Sequence, residues 1–385
     1  MPETLDLSNA GHVKIGLLRD GVTIEPDVLQ DVRRRYREKR RAYAGSDDEA
    51  SAGLSIPQEL VLPGHCGEVI VDVHHRVDSQ WRVGLDGNGE PTLYLAGARV
   101  GPVTIPGRPR YYGHPLHDGT LPERIGSMYG VYVLAFFLRG HCVMFDYGLQ
   151  CGFCSLNPTR HEFDDVEMMV RPEAAVEVTR LALSLGDQVR YVMLCDANYP
   201  SNDYGFERSL GMAAAVSPLL PREIVLHLLV MPPDDLSLLA RMPECGIGTV
   251  SFSLDIVDPE LFEKICPGKA TLYGHGKIRQ ALREAARYLP RGSTYCTLVG
   301  GLDDIDTLCR GFDELAAEDV APTVNIFHAD PKAKMRDHPP PDVAYLLRMA
   351  RHLAQLYRSY RFDPVIGYCT RNSINGEVVR GYFDS

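Results

Sequence analysis

The chain has 385 residues and a formal net charge of −11. That length holds one large α/β unit with an extension, or two domains. The acidic balance argues against a surface that coats nucleic acid. Hydrophobic residues at 45% and charged residues at 24% are ordinary for a globular protein. No apolar run reaches the roughly 18 residues of a membrane span, and Met1–Asp20 lacks the basic start and apolar centre of a signal peptide. The expectation is a cytoplasmic protein with no membrane and no nucleic-acid partner. Its ten cysteines then stay reduced and read as a ligand set plus core thiols.

Residues 1–130 are expected to form a β-rich N-terminal extension with a basic helix. Val32–Tyr43 (VRRRYREKRRAY) is helix-compatible and strongly basic, either a solvated face or a dock for an acidic partner. Gly45–Ala52 is small and acidic and reads as a flexible link. From Leu60 to Pro106, short apolar alternations broken by Gly and Pro predict a small antiparallel β unit. His65-Cys66, His74-His75 and His114 with His117 invite a metal reading, but their spacing matches no compact site. They are expected to be ordinary surface or core residues. The region suits a lid or a substrate-recognition module.

Val131–Leu138 (VYVLAFFL) and Cys142–Tyr147 (CVMFDY) are β-rich and apolar, and Gly148 breaks the second stretch. Cys151 and Cys154 therefore fall in a loop just past a strand end. With Cys142 they make a C-x8-C-x2-C arrangement. Two thiolates three residues apart bind one metal centre from a single turn, and Cys142 is the nearest third donor. Structural zinc usually takes four ligands, from two C-x2-C pairs or one pair and two histidines; only one pair exists here. Iron–sulfur clusters are also held by Cys thiolates, and a cubane on three of them keeps one iron open. The other reading of Cys142 is a buried strand thiol.

Downstream, strands alternate with helices. The strands are Gln188–Cys195, Glu223–Val230, Gly248–Leu254, Ser293–Val299 and Pro322–Phe327. The helices are Pro172–Leu185, Phe206–Leu219, Asp234–Met242, Pro259–Ile265, Gly276–Tyr288, Asp306–Glu318 and Pro341–Arg361. With the cysteine-bearing strand this makes six β/α units over residues 131–361, the pattern of parallel strands with crossover helices. The fold class is α/β, a partial (β/α)6 barrel that is not fully closed. Chemistry in such sheets sits at the carboxyl ends of the strands, where the cysteine loop falls. Asp363–Ser385 returns to β-like alternation, and residues 362–385 are expected to be a tail over the barrel mouth.

The Cys-Gly-Phe-Cys turn, with Phe153 just before Cys154, resembles the cluster loop of the radical S-adenosylmethionine (radical SAM) superfamily. The usual pattern there is C-x3-C-x2-C with an aromatic before the third cysteine. Val250–Lys269 (VSFSLDIVDPELFEKICPGK) and Val299–Asp303 (VGGLD) extend the resemblance over about residues 140–360, nearest the biotin synthase, tyrosine lyase and hydrogenase-maturase group. One departure is plain: four before Cys151 stands Tyr147, so Cys142 through a longer loop, or a distant cysteine, must replace the usual first ligand.

The resemblance implies a 4Fe-4S cluster on Cys142, Cys151 and Cys154 and S-adenosylmethionine on its open iron. One electron from a flavodoxin- or ferredoxin-type reductant then yields a 5′-deoxyadenosyl radical that takes hydrogen from a small polar substrate. Sulfur insertion or C–C or C–N rearrangement would follow, in a biosynthetic pathway. It also implies cofactor contacts from Phe153, Asp196, Asn198, Ser253, Asp255 and, on the next helix, Arg279. Ser253 and Asp255 share a strand face, because strand side chains alternate. In the tail, Cys369, Arg371 and Asn372 are candidates for substrate contacts or hydrogen donation, and Tyr147 for a place near the cluster. The rivals are a metal-dependent or metal-free α/β-barrel hydrolase or lyase with structural cysteines, and a binding protein that has lost its cluster. A P-loop is absent, since no G-x4-G-K-[ST] occurs.

Overall fold

A computed structural model describes residues 4–30, 32–39, 55–161, 167–363 and 370–384. In the extension, β1 (Thr23–Ile24), β4 (Trp81–Leu85), β5 (Pro91–Leu95) and β6 (Ala98–Pro102) make one four-stranded sheet, and β2 (Glu59–Leu62) pairs antiparallel with β3 (Val69–Asp72). The expected β unit is thus two small sheets. Trp81, on β4, is almost wholly buried.

The large sheet runs β13-β12-β11-β10-β9-β8-β7. Its members are β7 (Gly126–Tyr129), β8 (Val133–Phe137), β9 (Tyr191–Cys195), β10 (Val225–Leu229), β11 (Thr249–Asp255), β12 (Thr294–Gly300) and β13 (Ala321–Ile326). Strands β8 to β13 are all parallel, and β7 adds antiparallel to β8 at the edge. The six expected β/α units are there. All five residues of β9 are buried, as expected of a parallel strand covered on both faces. The crossover helices start on side-chain caps: Ser201, Asp258 and Asp304 accept from the backbone N–H three residues on, satisfying a donor that the helix itself leaves open.

Three of the expected elements need correction. Cys142–Tyr147 is not a strand: β8 ends at Phe137, and Val143–Phe145 is one 3-10 turn. Its apolar residues Val143 and Met144 are buried in a loop, and burial alone makes a short apolar run resemble a strand. Asp234–Met242 holds a 3-10 helix, Leu236–Arg241, and not an α-helix. The tail holds a short helix, Asn375–Val379, and among its described residues makes one β-bridge to the sheet, Asn325 to Ser373. Asn375 fixes that path by accepting from Val324 N–H at 3.0 Å.

The basic run is helical only over Val32–Arg35. Beyond it the backbone is extended, with bridges Tyr36 to Gly107 and Glu38 to Pro57. Arg37 and Lys39 are buried against Glu59 at 3.1 Å and Asp72 at 2.6 Å. The acidic partners of these two cations are therefore within the chain, since a buried cation persists where a carboxylate compensates it; Arg34 and Arg35 are exposed. Arg40–Tyr43 and the proposed link Gly45–Ala52 lie outside the described residues. The two ends of the chain are joined: Lys14 pairs with Glu377 at 2.9 Å, and Asn9 Nδ2 donates to the Tyr382 carbonyl at 2.8 Å. Among the described residues no helix is long and apolar enough to cross a membrane.

Candidate active site

A cavity of about 800 Å³ opens at the carboxyl ends of the parallel strands. Its floor is the inward face of the sheet: Ala135 and Phe137 on β8, Ser253 and Asp255 on β11, Thr297 and Val299 on β12. These pairs are two residues apart because strand side chains alternate. Gln58 comes from the extension, Tyr129 from the edge strand β7, Arg371 and Asn372 from the tail, Phe153 and Cys154 from the cysteine loop.

The cysteine loop is pinned before it presents its thiols. Cys142 N–H donates to Asn157 Oδ1 at 2.8 Å, and Val143 N–H to the Asn198 carbonyl at 3.2 Å. Gly152 N–H donates to the Ile265 carbonyl at 2.7 Å, and Met335 N–H to the Gly152 carbonyl at 2.9 Å. Cys142, Cys151 and Cys154 lie close enough to feel one another's charge. Burial pushes the Cys142 thiol up, and pushes Cys154 up to about 12. Cys151 is held down, first by a hydrogen bond with Cys266 and then by the Lys269 ammonium.

Cys266 had no role in the sequence reading. Its Sγ, the Cys151 Sγ and an Asp255 carboxylate oxygen all lie within 4.8 Å of one another. Asp255, at the end of β11, has φ of 67° and forms a buried ion pair with Lys269, whose Nζ also donates to the Ser253 carbonyl at 2.8 Å. Burial raises the Asp255 pKa, and Lys269 opposes that rise. The motif ICPGK marked this turn in the sequence; that its cysteine faces Cys151 was not legible there.

The other expected site residues separate into groups. Phe153, Ser253, Asp255, Arg371 and Asn372 share the cavity wall. Asp196 stands beside it, bonded to Ser209 Oγ at 3.3 Å, its pKa pushed up to about 7 by burial. Asn198 contributes its carbonyl to Val143 and Arg139. Arg279 needs correction: it sits on an outer helix and pairs with Glu314 at 2.7 Å and Glu318 at 3.2 Å. Two carboxylates on the neighbouring helix hold its guanidinium away from the cavity. Tyr147 is 52% exposed in the loop and is not on the cavity wall. Cys369 lies outside the described residues.

A buried polar network, also not expected from sequence, backs the cavity. Arg371 reaches Glu59 at 3.0 Å and Asp72 at 3.2 Å, and His74 Nε2 lies 2.9 Å from Asp72. The His74 and His328 rings pack at 3.8 Å between centroids, with His328 on the cavity wall. Burial lowers both histidines' pKa values. His74, between Asp72 and His328, orders the wall.

The thiols fit an iron–sulfur cluster by the chemistry of the donor set. They are soft ligands, no described cysteine is in a disulfide, and a buried ammonium stands beside them to offset negative charge. No protein-family profile matches the chain. It is 24% identical over 234 residues to the bacteriochlorophyllide c C-7(1)-hydroxylase of Chlorobaculum limnaeum, which covers 56% of this chain and 58% of that protein. The chain thus spans less than two thirds of this relative's length.

Among solved structures it aligns with the FeFe-hydrogenase maturase HydG from Carboxydothermus hydrogenoformans (17% identity, 62% of this chain, 54% of that one, TM-score 0.44). Methylornithine synthase, PylB, aligns at 16% identity over 58% of this chain and 62% of its own (TM-score 0.43). A radical SAM methyltransferase from Sphaerobacter thermophilus aligns at 13% over 82% and 79% (TM-score 0.41). The chain resembles the radical SAM superfamily in its cysteine loop and in the order of the motifs behind that loop.

Proposed function

We propose that this chain is a radical SAM enzyme acting on a polar small molecule held in the cavity between the sheet, the extension and the tail. The observation that carries the reading is the gathering of Cys142, Cys151 and Cys154 in one pinned loop at the carboxyl end of the parallel sheet, with Cys154 on the cavity wall. These three residues would hold a 4Fe-4S cluster, and Phe153, Ser253 and Asp255, which share the cavity wall, would contact S-adenosylmethionine. When bound, the two groups supply one-electron cleavage of a sulfonium C–S bond and the power to take hydrogen from an unactivated carbon. The chain's own residues orient and shield: Gln58 of the extension and Arg371 of the tail stand on the cavity wall, and enclosure of this kind limits side reactions. A reductant of flavodoxin or ferredoxin type is the proposed partner.

A cavity of about 800 Å³ lies within the usual size of small-molecule sites. Arg371, Asn372, His328 and Asp330 on its wall suit a hydroxylated or amino-acid-like substrate. Sulfur insertion and C–C or C–N rearrangement are the proposed reaction classes; the hydroxylation named for the Chlorobaculum relative is the outcome that would redirect the assignment.

A second reading has one observation behind it. Cys151, Cys266 and Asp255 offer two sulfurs and an oxygen within 4.8 Å, a donor set that zinc accepts. Against it, Lys269 already compensates Asp255.

The test is anaerobic reconstitution with iron and sulfide, then incubation with S-adenosylmethionine and dithionite. The expected result is about four irons per chain and release of 5′-deoxyadenosine, both lost in Cys151→Ala and Cys154→Ala. An unchanged cluster in Cys142→Ala removes that residue from the ligand set. Stoichiometric zinc with no iron uptake overturns the proposal in favour of the second reading.

A further inference from the structure

Six carboxylates are buried among the described residues. Four of them have a cation at hand: Glu59 has Arg371 at 3.0 Å, Asp72 has Lys39 at 2.6 Å, Glu377 has Lys14 at 2.9 Å, and Asp255 has Lys269. The fifth, Asp303, lies off the cavity and holds a turn, accepting from the Val257 and Asp258 N–H groups at 2.9 Å each. Asp330 is different. It is 5% exposed, it stands on the cavity wall just past β13, and among the described residues it has no cationic partner. Its hydrogen bonds come from neutral donors: Ser155 Oγ donates to Oδ2, and the backbone N–H of Lys332 to Oδ1 at 2.9 Å. Ser155 follows Cys154 in the chain, and Thr159 Oγ1 donates to Ser155 Oγ at 3.3 Å. Asp330, Ser155 and Thr159 all line the cavity.

We propose that Asp330 is the specificity residue of the cavity and that the cation it lacks is an ammonium group of the substrate, a primary amine. The inference rests on reading the cavity as the substrate site of the enzyme proposed above. A buried charge is costly unless it is paired, and neutral donors lower that cost without cancelling the charge. Water in an open cavity solvates the carboxylate. A neutral or anionic group that displaces this water leaves Asp330 desolvated and uncompensated, whereas an ammonium replaces the lost solvation with an ion pair. The wall thus selects for amines and against isosteric alcohols and acids, since specificity is a difference of affinities. The donor count agrees. An ammonium has three N–H donors, and both the Asp330 carboxylate and the Thr159 hydroxyl have lone pairs left to accept them. The amine is thereby held beside Ser155, at the Cys154 end of the cavity.

The test is a saturation-transfer NMR titration of the reconstituted full chain at neutral pH. Its probes share one ring and differ in charge: benzylamine, benzyl alcohol and benzoate. In wild type, benzylamine is expected to bind more tightly than the other two. In Asp330→Asn, which keeps the shape and loses the charge, benzylamine is expected to weaken about tenfold or more, while benzyl alcohol is unchanged. Benzylamine that binds wild type no more tightly than benzyl alcohol or benzoate overturns the proposal, whether or not the variant folds. So does an unchanged benzylamine affinity in Asp330→Asn. S-adenosylmethionine brings an amino group of its own, so its dissociation constant is measured in both proteins. A value unchanged by the substitution is expected. A cofactor weakened by a similar factor gives the cation at Asp330 to S-adenosylmethionine, and overturns the assignment to substrate. Iron content is read first: a chain that takes up no iron fails the cluster reading, and the amine titration then decides on Asp330 with the chain as purified.

Discussion

The guanidinium of Arg371 lies 3.8 Å from the centroid of the Tyr129 ring, and the same group bridges Glu59 and Asp72. One residue of the tail thus joins an edge strand of the large sheet to two strands of the extension, at the cavity wall. Stacking and ion pairing act on different parts of the group: the π-face takes the cation from one side, and the planar fork meets carboxylates in its own plane.

Removing that arginine leaves Glu59 and Asp72 buried with less compensation, while Arg37 and Lys39 remain their partners. Breaking a buried pair from one side typically costs about 3–5 kcal/mol. Arg371→Gln is expected to fall in the lower part of that range, measured by equilibrium urea unfolding. A loss under about 0.5 kcal/mol, the usual effect of an inconsequential surface change, would show that the bridge does not hold the three parts together.

Asp255 allows a sharper comparison. Its φ of 67° is left-handed, a region that Asn tolerates and Ala does not, at about 1–2 kcal/mol. Both Asp255→Asn and Asp255→Ala leave the buried Lys269 ammonium without its carboxylate. Alanine is therefore expected to destabilise more than asparagine by about 1–2 kcal/mol, as read by thermal unfolding. Equal losses would mean that the backbone at 255 carries no strain.

Gly268→Ala sets two opposed effects against each other. In a helix, alanine gains about 0.5–1 kcal/mol over glycine. Here its Cβ would stand 2.6 Å from the Leu149 carbonyl oxygen and 2.6 Å from Met144 Sδ, and overpacking costs about 1–3 kcal/mol. The clash should win, because one neighbour is backbone. The variant is expected to melt lower and to retain less iron after gel filtration, since Leu149 leads directly into Cys151. A stabilised variant with wild-type iron content would contradict the close docking of the two segments.

His227 supplies a pH dependence remote from the thiols. It is buried, bonded to Thr249 Oγ1 at 2.8 Å, and burial lowers its pKa to about 3. A histidine depressed in the fold binds a proton more readily in the unfolded chain, so the folded state loses ground as pH falls below the unfolded pKa near 6.5. Between pH 7.5 and 5.5 that amounts to about 1.4 kcal/mol from this group. His227→Gln is expected to flatten the urea midpoint across that range relative to wild type. An identical slope in the two proteins would assign the dependence to other histidines, such as His74 and His328.

Local chemistry made much of the scaffold legible. The alternation of apolar strands with capped helices from Pro172 to Tyr360 is written in periodicity and in cap residues such as Asp258 and Asp304, and the sheet follows from it. The same logic misread Cys142–Tyr147 and the tail, where apolar residues are buried by loops and a short helix. Arg279 was misplaced for a related reason: its position on a helix was legible, but the carboxylates that hold it belong to another helix, 35 and 39 positions on.

By itself, then, the order of residues determined the parallel α/β scaffold and put a three-cysteine loop at its carboxyl edge, because hydrogen-bonding period, capping and turn formation act over a few neighbours. Tertiary structure alone decided that Cys266 meets Cys151, that Arg37 and Lys39 are buried, and that Arg371 finds Glu59 from 312 positions away. Ion pairs and thiol contacts at such separations leave no periodic trace in the chain; they exist only once packing has brought their partners out of water.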